Sequence, residues 1–137
     1  MNRSAAIVAE ARRWLGTPYH HQADVRGVGV DCAMLLVRVY HACGLIPAIE
    51  PRPYPPDWHL HRSTERYLGW VEDYAEPVDV GEPGDVALYR FGRCLSHGGI
   101  VIKESQMIHA FKRAGKVEVA ELCTFEPRLA GFWRVKS

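Results

Sequence analysis

The sequence has no CxxC pair, no internal repeat, no low-complexity tract and no apolar run near the roughly 18 residues that cross a membrane. Four cysteines stand far apart, at 32, 43, 94 and 123. With no secretory leader beside them they are expected as reduced thiols rather than disulfides. The first residues, MNRSAAIVAEARRWLG, carry charges and lack an apolar h-region, so no signal peptide is expected and the product is expected in the cytoplasm as synthesised. Charge is also nearly absent in sum: 17 basic against 16 acidic residues leave +1, which gives no footprint for nucleic acid or for an anionic membrane. The expected partner is a small or mixed-charge substrate.

What is present suits one soluble globular domain spanning residues 1–137, with 47% apolar and 24% charged residues. In SAAIVAEARRWLG, the residues Ile7, Val8, Ala11, Trp14 and Leu15 form one apolar helical face, with Ser4 as cap and Gly16 as stop. A polar, glycine-bearing loop follows. A second helix is predicted from about Cys32 to Cys43, capped by Asp31 and stopped by Gly44. It is apolar on nearly every side, the mark of a buried central helix. The segment PAIEPRPYPPDW holds five of the nine prolines and is read as an irregular connection, and STERYLGWVEDY as a surface helix. From residue 85 the period changes: GDVALYRF, HGGIVIK, QMIHAFK, KVEVAEL and GFWRVK read as five short strands. Helices first and strands afterwards imply an α+β fold, with a five-stranded, mainly antiparallel sheet packed on the helices.

Cys32 is the residue with chemical promise. A helix start gathers unpaired N–H groups and the positive end of the macrodipole, which favour a thiolate and can receive an oxyanion. A base is still needed. Of seven histidines, His97 and His109 fall on predicted strands, whereas His41 lies far along the helix of Cys32 and the others in loops or near a helix start. If residues 102 and 106 pair across a KES turn, His109 stands opposite Gly99 and His97 opposite Phe111. The two imidazoles then share a face diagonally, about 7–8 Å apart at Cα. One can take the thiol proton while the other orients it. A one-residue slip would separate them.

Two other readings compete. Cys32 alone could be one more small core residue. Cys94, His97, His109 and Cys123 could instead be zinc ligands, although the second pair is split between two strands. The aromatic group Tyr54, Trp58, Tyr67 and Trp70 is read as core before groove wall.

The stretch LGTPYHHQADVRGVGVDCAMLLVRVYHACGLIP resembles the cysteine region of the NlpC/P60 cysteine peptidases, and EPGDVALYRF with SHGGIVIKESQMIHAF resembles their histidine region. The likeness covers the chain from about residue 5 to 112. It implies a papain-like α+β fold and hydrolysis of bacterial cell-wall peptides, typically between D-glutamate and a diamino acid, with no cofactor and no metal. It also implies roles: Cys32 as nucleophile, His97 as base, His109 as orienting residue, Tyr19 lining the site, and Asp31 and Ser96 at substrate-contacting motif positions. The HQADVRGVGVDC loop and the YPPDWHLHRSTERYL insertion resemble the branch carried by bacteriophages and gene-transfer agents, often tail-associated, with tail proteins as partners. One departure stands out. The family's DCSGL reads DCAMLL here, so Ala33 lacks a hydroxyl and Met34 replaces a glycine. That change narrows or reshapes the expected pocket and keeps open a non-catalytic module of the same fold.

Overall fold

The structure is a computed structural model that describes residues 2–52, 66–91, 94–103 and 105–136. Among the described residues three α-helices, α1 (Arg3–Arg12), α2 (Cys32–Ala42) and α3 (Arg66–Tyr74), precede most of the sheet. The strands are β1 (Asp24–Val25), β2 (Gly29–Val30), β3 (Ala75–Val78), β4 (Val86–Phe91), β5 (Cys94–Lys103), β6 (Gln106–Phe111), β7 (Lys116–Glu121) and β8 (Leu129–Val135). A short 3-10 segment, Leu122–Arg128, joins β7 to β8.

The main sheet has six strands in the order β3-β8-β4-β5-β6-β7, all antiparallel. All five strands expected from the sequence are present. The sixth, β3, corrects the count of five. Its sequence, AEPV, carries a glutamate and a proline and offers no alternation to read. It survives as an edge strand bonded only to β8, where a missing proline N–H costs no ladder bond. The two-residue pair β1 and β2 was also too short to show as a period.

α2 is the central helix. Asp31 is extended at φ −110°, and its side chain accepts from the Met34 amide, as its capping role requires. At the far end Gly44 takes φ +73°, its N–H bonds to the His41 carbonyl and that of Leu45 to the Tyr40 carbonyl. This left-handed stop satisfies carbonyls that the helix leaves bare. Between the two caps Met34, Leu35 and Val39 are fully buried. They pack with Ile7 and Ala11 of α1 and with Val86, Leu88, Ile100 and Ile108 of the sheet. α1 is capped by Asn2, which accepts from Ala5, and not by Ser4. Leu15, expected on its apolar face, is exposed.

The turn before β4 is pinned by a buried charge. Asp85 accepts from Arg134 through both carboxylate oxygens and from the Glu82 amide, while the Tyr40 hydroxyl donates to the Gly84 carbonyl. This ties α2, β4 and β8 together. The other face of the sheet carries a smaller cluster of Ala87, Tyr89, Val101 and Met107, flanked by Phe91 and Phe125. α3 covers Arg66–Tyr74, and Trp70 faces an apolar cleft shared with Leu36, Tyr40 and Ile49 of α2 and the segment after it. Tyr54, Trp58 and the Tyr67 side chain lie outside the described residues.

Candidate active site

Cys32 opens α2 and is 6% exposed. Its thiol donates to the Ser96 carbonyl at 3.6 Å, so sulfur rests against the peptide link joining Ser96 to His97. A bulge creates this contact. Tyr89 pairs with His97 and Arg90 with Leu95, which leaves Ser96 as an extra residue in β5. Bulges of this kind re-aim groups beside functional sites. Ser96, expected to contact substrate, meets the thiol through its backbone, and its hydroxyl donates to the Phe91 carbonyl at 3.4 Å.

The expected pairing of 102 with 106 does not occur: Lys103 pairs with Gln106 and the register shifts by one at the turn, and beyond that shift the predicted register holds, with Ile100 opposite Ile108 and Val101 opposite Met107. It brings the two histidines together: His97 Nε2 lies 2.7 Å from His109 Nδ1. Gly99 makes the approach possible. A Cβ there would meet the Met107 sulfur at 2.5 Å and the His109 Cβ at 3.2 Å. His97 is 6% exposed and His109 fully buried. Phe111 stacks on His109 at 5.1 Å, and Phe91 meets the His97 ring edge-on at 5.6 Å. Burial pushes the His97 pKa well below the usual imidazole range, and the neighbouring His109 lowers it further. Burial also lowers that of His109, against an opposing pull from Glu118.

Glu118 is the residue that sequence reasoning missed. It is the direct cross-strand partner of His109 in β7, and its carboxylate lies 2.8 Å from His109 Nε2. The signal was available, because the KRAGK turn pairs Phe111 with Lys116 and so 109 with 118.

On the helix side, Tyr19 lies within electrostatic reach of Cys32. Its hydroxyl pKa is raised first by burial and then by the charges of Cys32 and Asp31. Backbone bonds hold Tyr19 to Gly115, and a bridge joins it to Val30. Asp31, expected at the substrate, is a clamp for the loop as well as a cap: one oxygen takes the Met34 amide at 2.9 Å and the other the Gln22 amide at 2.6 Å. Gln22 adopts φ +63° to reach it, a conformation that few side chains favour. Met34, which stands where the family has glycine, is fully buried in the core. Among the described residues the zinc set is not assembled. His97 and His109 point ring nitrogens at each other, Cys123 is exposed, the Cys94 side chain lies outside the described residues, and among the described residues no three acidic, thiol or imidazole groups converge on one point.

A buried thiol at a helix start, resting on the Ser96 carbonyl, and a bonded pair of imidazoles on the same strand and its neighbour are groups that a thiol-dependent hydrolase can use. The sequence matches the NlpC/P60 family over residues 16–134, and the protein belongs to that family. Among curated proteins no sequence matches the chain. Solved structures agree on the fold. The NlpC/p60 domain of the peptidoglycan hydrolase SagA superposes with a TM-score of 0.64 at 23% identity, covering 100% of both chains. A Staphylococcus aureus NLP/P60 family protein similar to a lipoprotein gives 0.70 at 17% identity, with 98% of this chain covering 42% of that one. The Mycobacterium tuberculosis peptidoglycan hydrolase RipB gives 0.62 at 19%, covering 98% of this chain and 66% of its own. Among the described residues no helix is long and apolar enough to cross a membrane.

Proposed function

We propose that the protein is a cysteine peptidase that cuts bacterial cell-wall peptides between D-glutamate and a diamino acid. The observation that carries this reading is the Cys32 thiol lying on the peptide link of His97, whose ring is bonded to His109. Family membership and the naming of two similar structures as peptidoglycan hydrolases support the substrate class. In the reaction, the Cys32 thiolate attacks the peptide carbonyl carbon. The amides of Cys32 and Ala33, ahead of the Met34 amide that Asp31 binds, receive the oxyanion. His97, carrying the thiol proton, gives it to the leaving amine as the C–N bond breaks. Water, deprotonated by His97, then attacks the thioester and returns the thiol. His109 orients His97, and Tyr19 walls the thiol side. The loop and insertion that resemble the phage branch support a tail-associated setting, with tail proteins as partners.

The non-catalytic alternative rests on Met34, whose side chain is fully buried in the core. The test is digestion of defined stem peptides with products read by mass spectrometry. Wild type should release a fragment ending in D-glutamate, and Cys32→Ala should lose at least about 10³-fold in rate. Intact peptide after long incubation with wild type, or equal cleavage by the variant, would sink the proposal.

A further inference from the structure

The proposed roles leave one contact unused. A base enclosed by phenyl rings is a poor proton acceptor, because burial penalises the imidazolium that catalysis requires. The geometry points to Glu118 as a positioning residue that completes a line of three groups, His97, His109 and Glu118, and sets the tautomers of both rings. This role rests on the proposed roles of Cys32 and His97.

The protons along the line are fixed one contact at a time. An ionised carboxylate can only accept, so the 2.8 Å contact requires His109 to carry its proton on Nε2. A neutral His109 then offers Nδ1 as an acceptor. The 2.7 Å contact between that atom and His97 Nε2 requires His97 to donate from Nε2. His97 is thereby left with a bare Nδ1, the lone pair that can take the thiol proton. When His97 becomes an imidazolium, the Glu118 charge stabilises it through His109, and the opposing pull of Glu118 on the His109 pKa is the same effect. Enclosure strengthens the line: Phe111 stacks on His109 and Phe125 lies 5.9 Å away, so little water competes. The other titratable or charged groups around the pair are Cys32 and Tyr19 on the helix side, Tyr89 on β4, and Cys123 and Arg128 from the 3-10 segment. Glu118 is the one that meets His109 Nε2. Its side chain is 31% exposed, so replacement leaves the core intact.

The experiment uses the full chain with ¹⁵N-labelled histidine, comparing wild type, Glu118→Gln, Glu118→Ala and Glu118→Asp. Imidazole ¹⁵N shifts report the tautomers, and the rate of Cys32 alkylation by iodoacetamide against pH reports the thiolate–imidazolium pair. Wild type should show His109 protonated on Nε2. Glu118→Ala should mix the tautomers. Glu118→Gln should move the alkylation midpoint up by about half a pH unit or more, since the imidazolium loses its counter-charge. Peptide turnover should fall about tenfold with KM unchanged, and Glu118→Asp should recover part of the loss. Wild-type tautomers and an unshifted midpoint in Glu118→Ala and Glu118→Gln, alongside a Cys32 that reacts selectively, would overturn the role of Glu118 alone. A Cys32 without selective reactivity in wild type would instead overturn the peptidase reading, and the ¹⁵N shifts would still decide whether Glu118 sets the tautomers.

Discussion

Cys32 and Cys43 stand at opposite ends of α2, and their thiols share one kind of contact. Each thiol donates to a backbone carbonyl, Cys32 to Ser96 at 3.6 Å and Cys43 to Ala6 at 3.7 Å. The difference lies in the helix end and in the neighbours. Cys32 sits at the positive end, within electrostatic reach of Tyr19 and ahead of a histidine pair. Cys43 sits at the negative end, where burial, and then the charge of Glu10, raise its pKa. On the proposed reading it is the helix end and the histidine pair that distinguish Cys32, and a thiol hydrogen bond by itself marks nothing.

The largest effect expected from this comparison is in reactivity. Cys43 is the more exposed of the two, so access alone predicts that it labels first. The two helix ends act with opposite sign, each by up to about 2 kcal/mol in partly buried settings. At pH 7 iodoacetamide should therefore modify Cys32 about 100-fold faster than Cys43, as read by peptide mapping over time. A reversed order, or equal rates, would dissolve the contrast.

The same contrast shows what could be read in the sequence. Asp31 and Gly44 bracket α2 as their side-chain chemistry requires, because caps are local and obey local rules. The meeting of His97 and His109 was readable from two-residue alternation along β5 and β6, although the one-residue shift beside the turn, where Lys103 pairs with Gln106, was not. Less local features were not readable. The bulge at Ser96, which turns a carbonyl to the thiol, depends on how β4 and β5 pair far from any turn. β3 gains its order from β8, not from its own four residues. The burial of Met34 was not readable either, because a motif position says nothing about which side of a helix meets the core. Glu118 was missed for a different reason: it is no histidine, and it lies one hydrogen bond beyond His109 on a strand that the cysteine–histidine pattern does not reach.

A middle-sized effect should come from Asp31→Ala. The change removes the cap on Met34 and the bond that holds Gln22 in its left-handed conformation. Loss of a cap costs about 1 kcal/mol, and release of the strained loop removes a second charge-assisted bond, so about 2 kcal/mol should be lost in urea unfolding. Because the loop carries Tyr19 and the cap orders the amides around Cys32, selective alkylation of Cys32 should decline in parallel. Lost stability with wild-type Cys32 selectivity would show that the cap is purely structural.

The smallest effect belongs to the other end. Gly44 adopts φ +73° with open space where a Cβ would stand, so the cost of Gly44→Ala is backbone strain without collision. That strain amounts to about 1 kcal/mol. The stop lies a whole helix away from the thiol of Cys32 and next to Cys43. Gly44→Ala should therefore lower the urea midpoint slightly, leave the alkylation rate of Cys32 unchanged and raise that of Cys43 as the last turn frays. If Cys32 slowed in this variant as it should in Asp31→Ala, the helix would be acting as one rigid unit whose overall stability sets the thiol's reactivity. The local account, in which the N-terminal amides and the histidine pair do so, would then be wrong.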